Sequence, residues 1–115
     1  MNPLDGRTVL LTGASGGIGA ALCDALVAAG ARVVAVGRNE DRLRAIAARH
    51  APGRILTVIA DLADADGPTR LAAAVSQLQP TPSVLVLAHA QGAFGLFEQQ
   101  SPHALQSLLN TNLVA

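Results

Sequence analysis

Four short apolar runs recur along the chain, and each is followed by a stretch that favours a helix. The runs cover residues 8–12, 32–36, 55–59 and 84–87. They are continuous and do not alternate with polar residues, which is typical of strands covered on both faces of a parallel sheet. Regular alternation of strands and helices predicts right-handed βαβ units. We therefore expect an α/β fold in which a doubly wound parallel sheet carries helices on both faces.

Glycine and proline residues mark where the predicted helices begin and end. Gly30 is a good C-terminal cap for the first helix, and Ser101-Pro102 is typical of an N-cap followed by proline in the first turn. The first three helices are predicted over Ile18 to Ala29, Glu40 to His50 and Pro68 to about Gln79. The strand at residues 84–87 is predicted to form a bare, apolar sheet edge, which natural folds usually pair or cover.

Length and charge exclude several classes of protein. The 115 residues suggest one domain, residues 1–115, with a single core. Eight acidic residues balance eight arginines, so the chain has no net positive charge to attract nucleic acids or anionic lipids. No apolar run approaches the roughly 18 residues of a membrane span, and the spacing of the three histidines does not suggest zinc. Cys23 is alone, which fits a reducing, cytoplasmic location.

The most informative segment is the glycine-rich turn at residues 12–19, TGASGGIG, which follows the first predicted strand and opens the first helix. In this setting Gly13 can make the tight turn, Gly17 can let backbone N–H groups approach a diphosphate, and Gly19 can let the helix pack closely on the sheet. The helix N-terminus then offers unpaired donors and a positive dipole end to phosphate groups. The structural alternative is a flexible turn that binds no ligand.

The spacing of this turn distinguishes among nucleotide-binding folds. A phosphate loop of the GxxxxGK type is excluded because the chain has no lysine. The pattern TGxxxGxG resembles the short-chain dehydrogenase/reductase family, whose members oxidise alcohols or reduce carbonyl groups of small molecules with NAD or NADP. This resemblance implies a Rossmann-like sheet in the order 3-2-1-4. It also implies cofactor contacts from Gly13, Ser15, Gly17, Ile18 and Gly19.

The end of the second strand bears on the choice of cofactor. An acidic residue there selects NAD by bonding the ribose 2′-hydroxyl, whereas a nearby arginine accommodates the 2′-phosphate of NADP. Here Gly37-Arg38 stands at that point, so the acid is absent and a cation is adjacent. We therefore expect NADP, with NAD the less favoured cofactor. The alternative is that Arg38 is a solvated surface residue, and Gly16 stands where many NADP-using members carry a basic residue.

The resemblance assigns further positions after the third and fourth strands. Asp61 fits the residue that bonds the adenine amino group, assisted by the backbone N–H of Leu62; its structural alternative is a helix cap or a turn. The family usually has NNAG after the fourth strand, where this chain has His89 through Gly92. That places Ala90 and Gly92 beside the cofactor. His89 is expected to replace the structural hydrogen bonding of asparagine and not to act as a base.

Catalysis is where the sequence departs most from the family. Asn112, in the pair Asn112-Leu113, resembles the helix asparagine that supports a proton relay. The resemblance covers only the N-terminal half of a typical member, and the Tyr-x-x-x-Lys pair that follows is absent, since the chain has neither Tyr nor Lys. We expect the cofactor-binding part of an oxidoreductase, inactive by itself. A non-catalytic NADP-binding sensor or regulatory module is the alternative. Family members often pair through the helix predicted to begin near Pro102, which implies a homo-oligomer.

Overall fold

A computed structural model describes residues 2–90 and 96–114. Within them, strands and helices alternate as far as the fourth strand, and a short 3-10 turn, a helix and one π-helical turn follow. The strands are β1 (Thr8–Thr12), β2 (Arg32–Gly37), β3 (Ile55–Ile59) and β4 (Val84–Leu87). The helices are α1 (Gly17–Ala28), α2 (Glu40–Ala48), α3 (Gly67–Ser76) and α4 (Pro102–Leu109), with the 3-10 turn at Phe97–Gln99 and the π-helical turn at Asn110–Val114.

The four strands form one parallel sheet in the order β3-β2-β1-β4. This confirms the predicted order 3-2-1-4 and the Rossmann-like architecture. Because all four strands run in the same direction, their carboxyl ends meet at one edge of the sheet. The order reverses between β1 and β4, and a crevice at such a reversal is the usual ligand site of an open parallel sheet.

Helices cover both faces of the sheet, and alternate residues of β2 pack on opposite sides. Val33 and Ala35 belong to an apolar cluster shared with α1 and α2, through side chains such as Leu43. Val34 and Val36 belong to a second cluster on the other face, shared with α3. The continuous apolar run at residues 32–36 therefore reflects burial on both sides, as the sequence predicted.

The fourth strand is covered less well than the sequence pattern suggests. Leu85 and Leu87 expose 58% and 64% of their surface. Among the described residues β4 pairs with β1 alone, which agrees with the predicted bare edge. Leu56 and Ile59 of β3 are also exposed, by 46% and 52%. Burial on both faces is therefore a property of the central strands, and the prediction of it was wrong for β3 and β4. None of the helices in residues 2–90 and 96–114 combines the length and apolar character needed to cross a bilayer.

Helix ends differ from prediction by one to three residues. The first helix ends at Ala28, and Gly30 follows in the left-handed region at φ +99°, where glycine carries no steric penalty. The third ends at Ser76, before the predicted Gln79. The predicted N-cap of the last helix is confirmed, because the Ser101 hydroxyl accepts a hydrogen bond from Ala104 N at 3.0 Å.

A charged clamp joins the first two helices on one face of the sheet. Asp24 in α1 lies 2.7 Å from His50 Nε2 and also pairs with Arg49, both just beyond the end of α2. Replacing Asp24 with asparagine is expected to lower the free energy of unfolding by about 1 kcal/mol, because the pair is partly shielded from water. Urea titration would measure the loss.

The matched control for the clamp is Glu40→Gln, which removes the same charge. Glu40 pairs with Arg44 within α2, where both side chains are more than half exposed. Such pairs contribute less than about 0.5 kcal/mol. Equal losses in the two variants would contradict a stabilising role for the clamp.

The thiol of Cys23 is fully buried beside this clamp. Burial, with a smaller contribution from the negative charge of Asp24, raises the pKa of the Cys23 thiol to about 11. The folded state therefore holds the proton more tightly than the unfolded chain does. Its contribution to stability is intact below pH 9 and is lost as the pH rises toward about 11.

The free energy of unfolding should fall by on the order of 1 kcal/mol between pH 9 and 11. The change in stability over this range can be assigned to Cys23, because a chain without Lys or Tyr has no other side chain that ordinarily titrates between pH 9 and 11. Urea titrations across the window would measure the slope, and Cys23→Ala should flatten it. A slope that persists in this variant would show that another group causes it.

Candidate functional site

The carboxyl edge of the sheet carries a cavity of about 160 Å³. Its walls come from the glycine turn after β1 and from the segments that follow β2, β3 and β4, with one residue of the π-helical turn. The lining residues are Gly13, Gly16, Val36, Gly37, Arg38, Ala60, Asp61, Leu62, Ala63, Ala88, His89, Ala90 and Thr111. The cavity therefore lies at the point where the strand order reverses.

The glycine turn is held close to the sheet by backbone contacts. Gly13 has φ +71°, and a methyl group there would come within 2.6 Å of the carbonyl oxygen of Ala88. A methyl group at Gly19 would overlap the carbonyl oxygen of Gly13. The Ala14 N–H donates to Val36 O at 3.0 Å, which ties the turn to β2. Glycine is therefore required at 13 by conformation and at 19 by close packing.

The first turn of α1 presents backbone donors at the rim of the turn. Gly16 is the N-cap and has no side chain to cap the helix. Its own N–H donates a hydrogen bond to Gly13 O at 3.2 Å. No acidic side chain stands in this first turn, so the positive end of the helix dipole is not neutralised there. A methyl group at Gly17 would meet nothing within 4 Å. An anion can therefore approach these N–H groups closely, as a diphosphate requires.

The end of β2 brings the cation Arg38 to the cavity. Gly37 is buried and Arg38 is exposed at the cavity wall. Asn39 caps α2 by accepting a hydrogen bond from the Arg42 N–H at 3.0 Å. Glu40 and Asp41 fall in the first turn of α2, as predicted, where acidic side chains favour the helix dipole. Arg38 is the charged residue of this segment that lines the cavity.

The segment after β3 is shaped by Asp61. Its Oδ1 accepts a hydrogen bond from Ala63 N at 2.9 Å, which makes a local turn. A methyl group at Gly67 would overlap the carbonyl oxygen of Asp61, so α3 packs directly against this turn. The turn role considered from the sequence is therefore real. Asp61 also lines the cavity, so this turn forms part of its wall.

The end of β4 is joined to β1 by a side-chain hydrogen bond. Thr12 Oγ1 and His89 Nδ1 lie 2.7 Å apart, and Thr12 is almost fully buried. Ala88 N also donates to Thr12 O at 3.2 Å. His89 therefore holds the two strands together beneath the glycine turn, which is the structural bonding expected of it.

Comparison with known proteins shows which family has this fold and glycine turn. The family model described as short chain dehydrogenase matches residues 7–115. The chain belongs to the short-chain dehydrogenase/reductase family. This confirms the family that the TGxxxGxG turn indicated.

Individual family members agree in sequence and in structure. The chain is 36% identical over 120 residues to the ketoacyl reductase HetN of a Nostoc species, a match that covers all of this chain and 41% of that protein. It is 52% identical over 61 residues to bovine L-xylulose reductase, which covers 53% of this chain and 24% of that protein. A crystal structure of a 3-oxoacyl (acyl-carrier-protein) reductase from Agrobacterium tumefaciens, with NADP bound, superposes with a TM-score of 0.85.

That reductase is 31% identical in sequence, and the superposition covers 96% of this chain and 43% of the reductase. The chain therefore spans less than half the length of these family members. The family relationship covers the sheet and the glycine turn, whereas the remaining length of those proteins has no counterpart in the 115 residues.

The structure brings together some of the predicted site residues and separates others. Five of them line the cavity: Gly13, Arg38, Asp61, Leu62 and Ala90. Gly17 and Ile18 stand exposed in the first turn of α1, and Gly19 is buried below them. Ser15 is half-buried between the turn and β2. Gly92 lies outside the described residues.

The π-helical turn after α4 carries the predicted site residue Asn112. Asn112 lies exposed in the π-helical turn, whereas its neighbour Thr111 reaches the cavity wall. Sequence reasoning did not single out Thr111. A π-helical turn alters which side chains face the sheet, and the sequence carries no signal for it that periodicity could reveal. In the described parts of the chain no group of three or more His, Cys, Asp or Glu could hold a metal ion.

Proposed function

We propose that this chain is the NADP-binding part of an oxidoreductase that interconverts a small-molecule alcohol and its carbonyl compound. The single observation that carries the proposal is the cavity at the carboxyl edge of the sheet. It is bounded by the glycine turn on one side and by Arg38 on another. The nicotinamide ring, when bound, supplies or accepts the hydride of this chemistry.

Four groups of residues at this site suit four parts of the cofactor. The N–H groups at the start of α1 suit the diphosphate. Contacts to it are proposed from Gly13, Ser15, Gly17, Ile18 and Gly19, and the open space at Gly17 lets the diphosphate approach. Arg38 suits the 2′-phosphate, because a guanidinium makes forked, charge-assisted hydrogen bonds to phosphate. On the far side, Asp61 and Leu62 suit the adenine, while Ala90 and Gly92 are proposed to border the ribose near the nicotinamide.

The same residues do not supply proton transfer to the carbonyl oxygen. Asn112 is proposed to support a relay, and the tyrosine and lysine that complete family members use are absent from the sequence. The 115 residues are therefore proposed to bind the cofactor without turnover. Carbonyl reduction by this purified chain would contradict that statement.

Direct binding tests the proposal. NADPH fluorescence is readily followed in a chain without Trp or Tyr, and calorimetry gives the dissociation constants of NADP and NAD. We expect NADP to bind more tightly than NAD. Folded protein that binds neither dinucleotide at millimolar concentration would overturn the proposal.

A substitution at Asp61 tests the position of the adenine. Asp61→Asn keeps the oxygen that accepts the Ala63 N–H but replaces the second oxygen by an amide donor. The variant should bind NADP several-fold more weakly, by about 1 kcal/mol. Calorimetry should show the opposite for the hypoxanthine analogue of NADP, whose ring carbonyl accepts a hydrogen bond from the new amide.

The matched control is Asp64→Asn, which removes the same charge from an exposed residue of the same segment. It should leave the ratio of the two affinities unchanged. Loss of affinity for NADP and for its hypoxanthine analogue in equal measure in Asp61→Asn would place the adenine elsewhere.

A further inference from the structure

Ser15 and Gly37 are 22 positions apart in sequence and lie against each other beside the cavity. A side chain built at Gly37 would place its Cβ 2.7 Å from Ser15 Oγ and 3.2 Å from Ser15 Cβ. On its other side this Cβ would meet Leu43 Cδ2 at 3.4 Å. Ser15 therefore fills the space into which any side chain at residue 37 would have to grow.

The two contacts with Ser15 differ in how easily they are relieved. The hydroxyl can rotate about the Cα–Cβ bond, but the Cβ atom moves only with the backbone. That backbone is fixed on both sides, since Ala14 N donates to Val36 O at 3.0 Å and Gly16 N to Gly13 O at 3.2 Å. Alanine at 15 would keep the Cβ contact, and only glycine would remove it.

This contact bears on cofactor choice, because residue 37 ends β2 and lines the cavity next to Arg38. An acidic side chain at the end of this strand is what bonds the ribose 2′-hydroxyl of NAD. We infer that Ser15 is a specificity-determining residue, which favours NADP by keeping position 37 free of a side chain. The inference rests on the proposed function, since it concerns the discrimination between NADP and NAD at the same site.

A double-mutant cycle between the two positions tests the inference. Gly37→Asp alone should lower the Tm and gain no affinity for NAD over the wild type. Combined with Ser15→Gly it should recover most of the Tm and bind NAD about tenfold more tightly than Gly37→Asp alone. Combined with Ser15→Ala it should recover less, because the Cβ contact remains.

A second cycle uses Gly37→Ala in place of Gly37→Asp and measures by thermal unfolding how the added methyl group packs. It keeps the inference testable if the aspartate variant does not fold. The effect of Gly37→Ala on Tm should likewise be relieved by Ser15→Gly. The control pair is Ser83→Gly with Gly53→Asp. These substitutions match Ser15→Gly and Gly37→Asp, but they lie just before β4 and β3, at the opposite edge of the sheet. A methyl group at Gly53 would meet nothing within 4 Å, so this pair should be additive.

Additive effects at positions 15 and 37, in a chain that binds NADP, would overturn this inference and leave the proposed function intact. A Gly37→Asp variant that alone has the wild-type Tm and the NAD affinity of the double variant would also overturn it. Folded wild-type protein that binds neither dinucleotide would overturn the proposed function, and the inference with it.

Discussion

Replacing Gly19 with alanine is expected to lower the free energy of unfolding by about 3 kcal/mol. The added methyl group would overlap the carbonyl oxygen of Gly13 and lie 2.8 Å from Ala14 Cα. Both obstacles are backbone atoms of a turn tied to β2, so neither can rotate away. Alanine favours a helix over glycine by about 1 kcal/mol, which offsets only part of this cost. Urea or thermal unfolding measures the difference.

Gly17→Ala is the matched control for this substitution. Gly17 lies two residues earlier in the same helix, and a methyl group there would meet nothing within 4 Å. The gain in helix propensity is therefore unopposed, and the variant should be as stable as the wild type or more stable. If Gly19→Ala were equally stable, the close approach of α1 to the turn would not be a requirement of this fold.

The sheet could be predicted because its determinants are local. Each strand is a continuous apolar run, and residues such as Gly30 and Pro102 mark where helices end and begin. The strand order came from the family resemblance carried by the turn at residues 12–19. The structure confirms that order. Burial of β4 was not predictable in the same way, since it depends on what packs against Leu85 and Leu87.

The sequence singled out Arg38 and Asp61 by residue type and position, and both line the cavity. The site was not predicted where two distant segments meet. The contact between Ser15 and the empty position at Gly37 depends on how closely the turn lies on β2. Thr111, which lies in the π-helical turn after α4, also reaches the cavity. Such contacts depend on distances of a few tenths of an ångström, and a one-dimensional pattern carries no measure of them.

Loss of the Arg38 side chain should separate the two cofactors. Arg38→Ala is expected to weaken the binding of NADP by about 1 to 3 kcal/mol, or about fivefold to more than a hundredfold in Kd. The affinity for NAD should hardly change, because NAD has no 2′-phosphate for the guanidinium to bind. Calorimetry with each dinucleotide gives both constants. Rising ionic strength should narrow the gap between wild type and variant, since salt screens the exposed charge pair.

Two further variants separate the charge of Arg38 from its shape and position. Arg38→Lys keeps the charge but loses the planar fork, so its affinity for NADP should fall between those of the wild type and the alanine variant. Arg54→Ala removes the same charge just before β3, at the opposite edge of the sheet, and should leave both affinities unchanged. Equal losses for NADP and NAD in Arg38→Ala would mean that Arg38 contacts a part common to both, such as the diphosphate. The choice between the cofactors would then depend on other residues of the cavity.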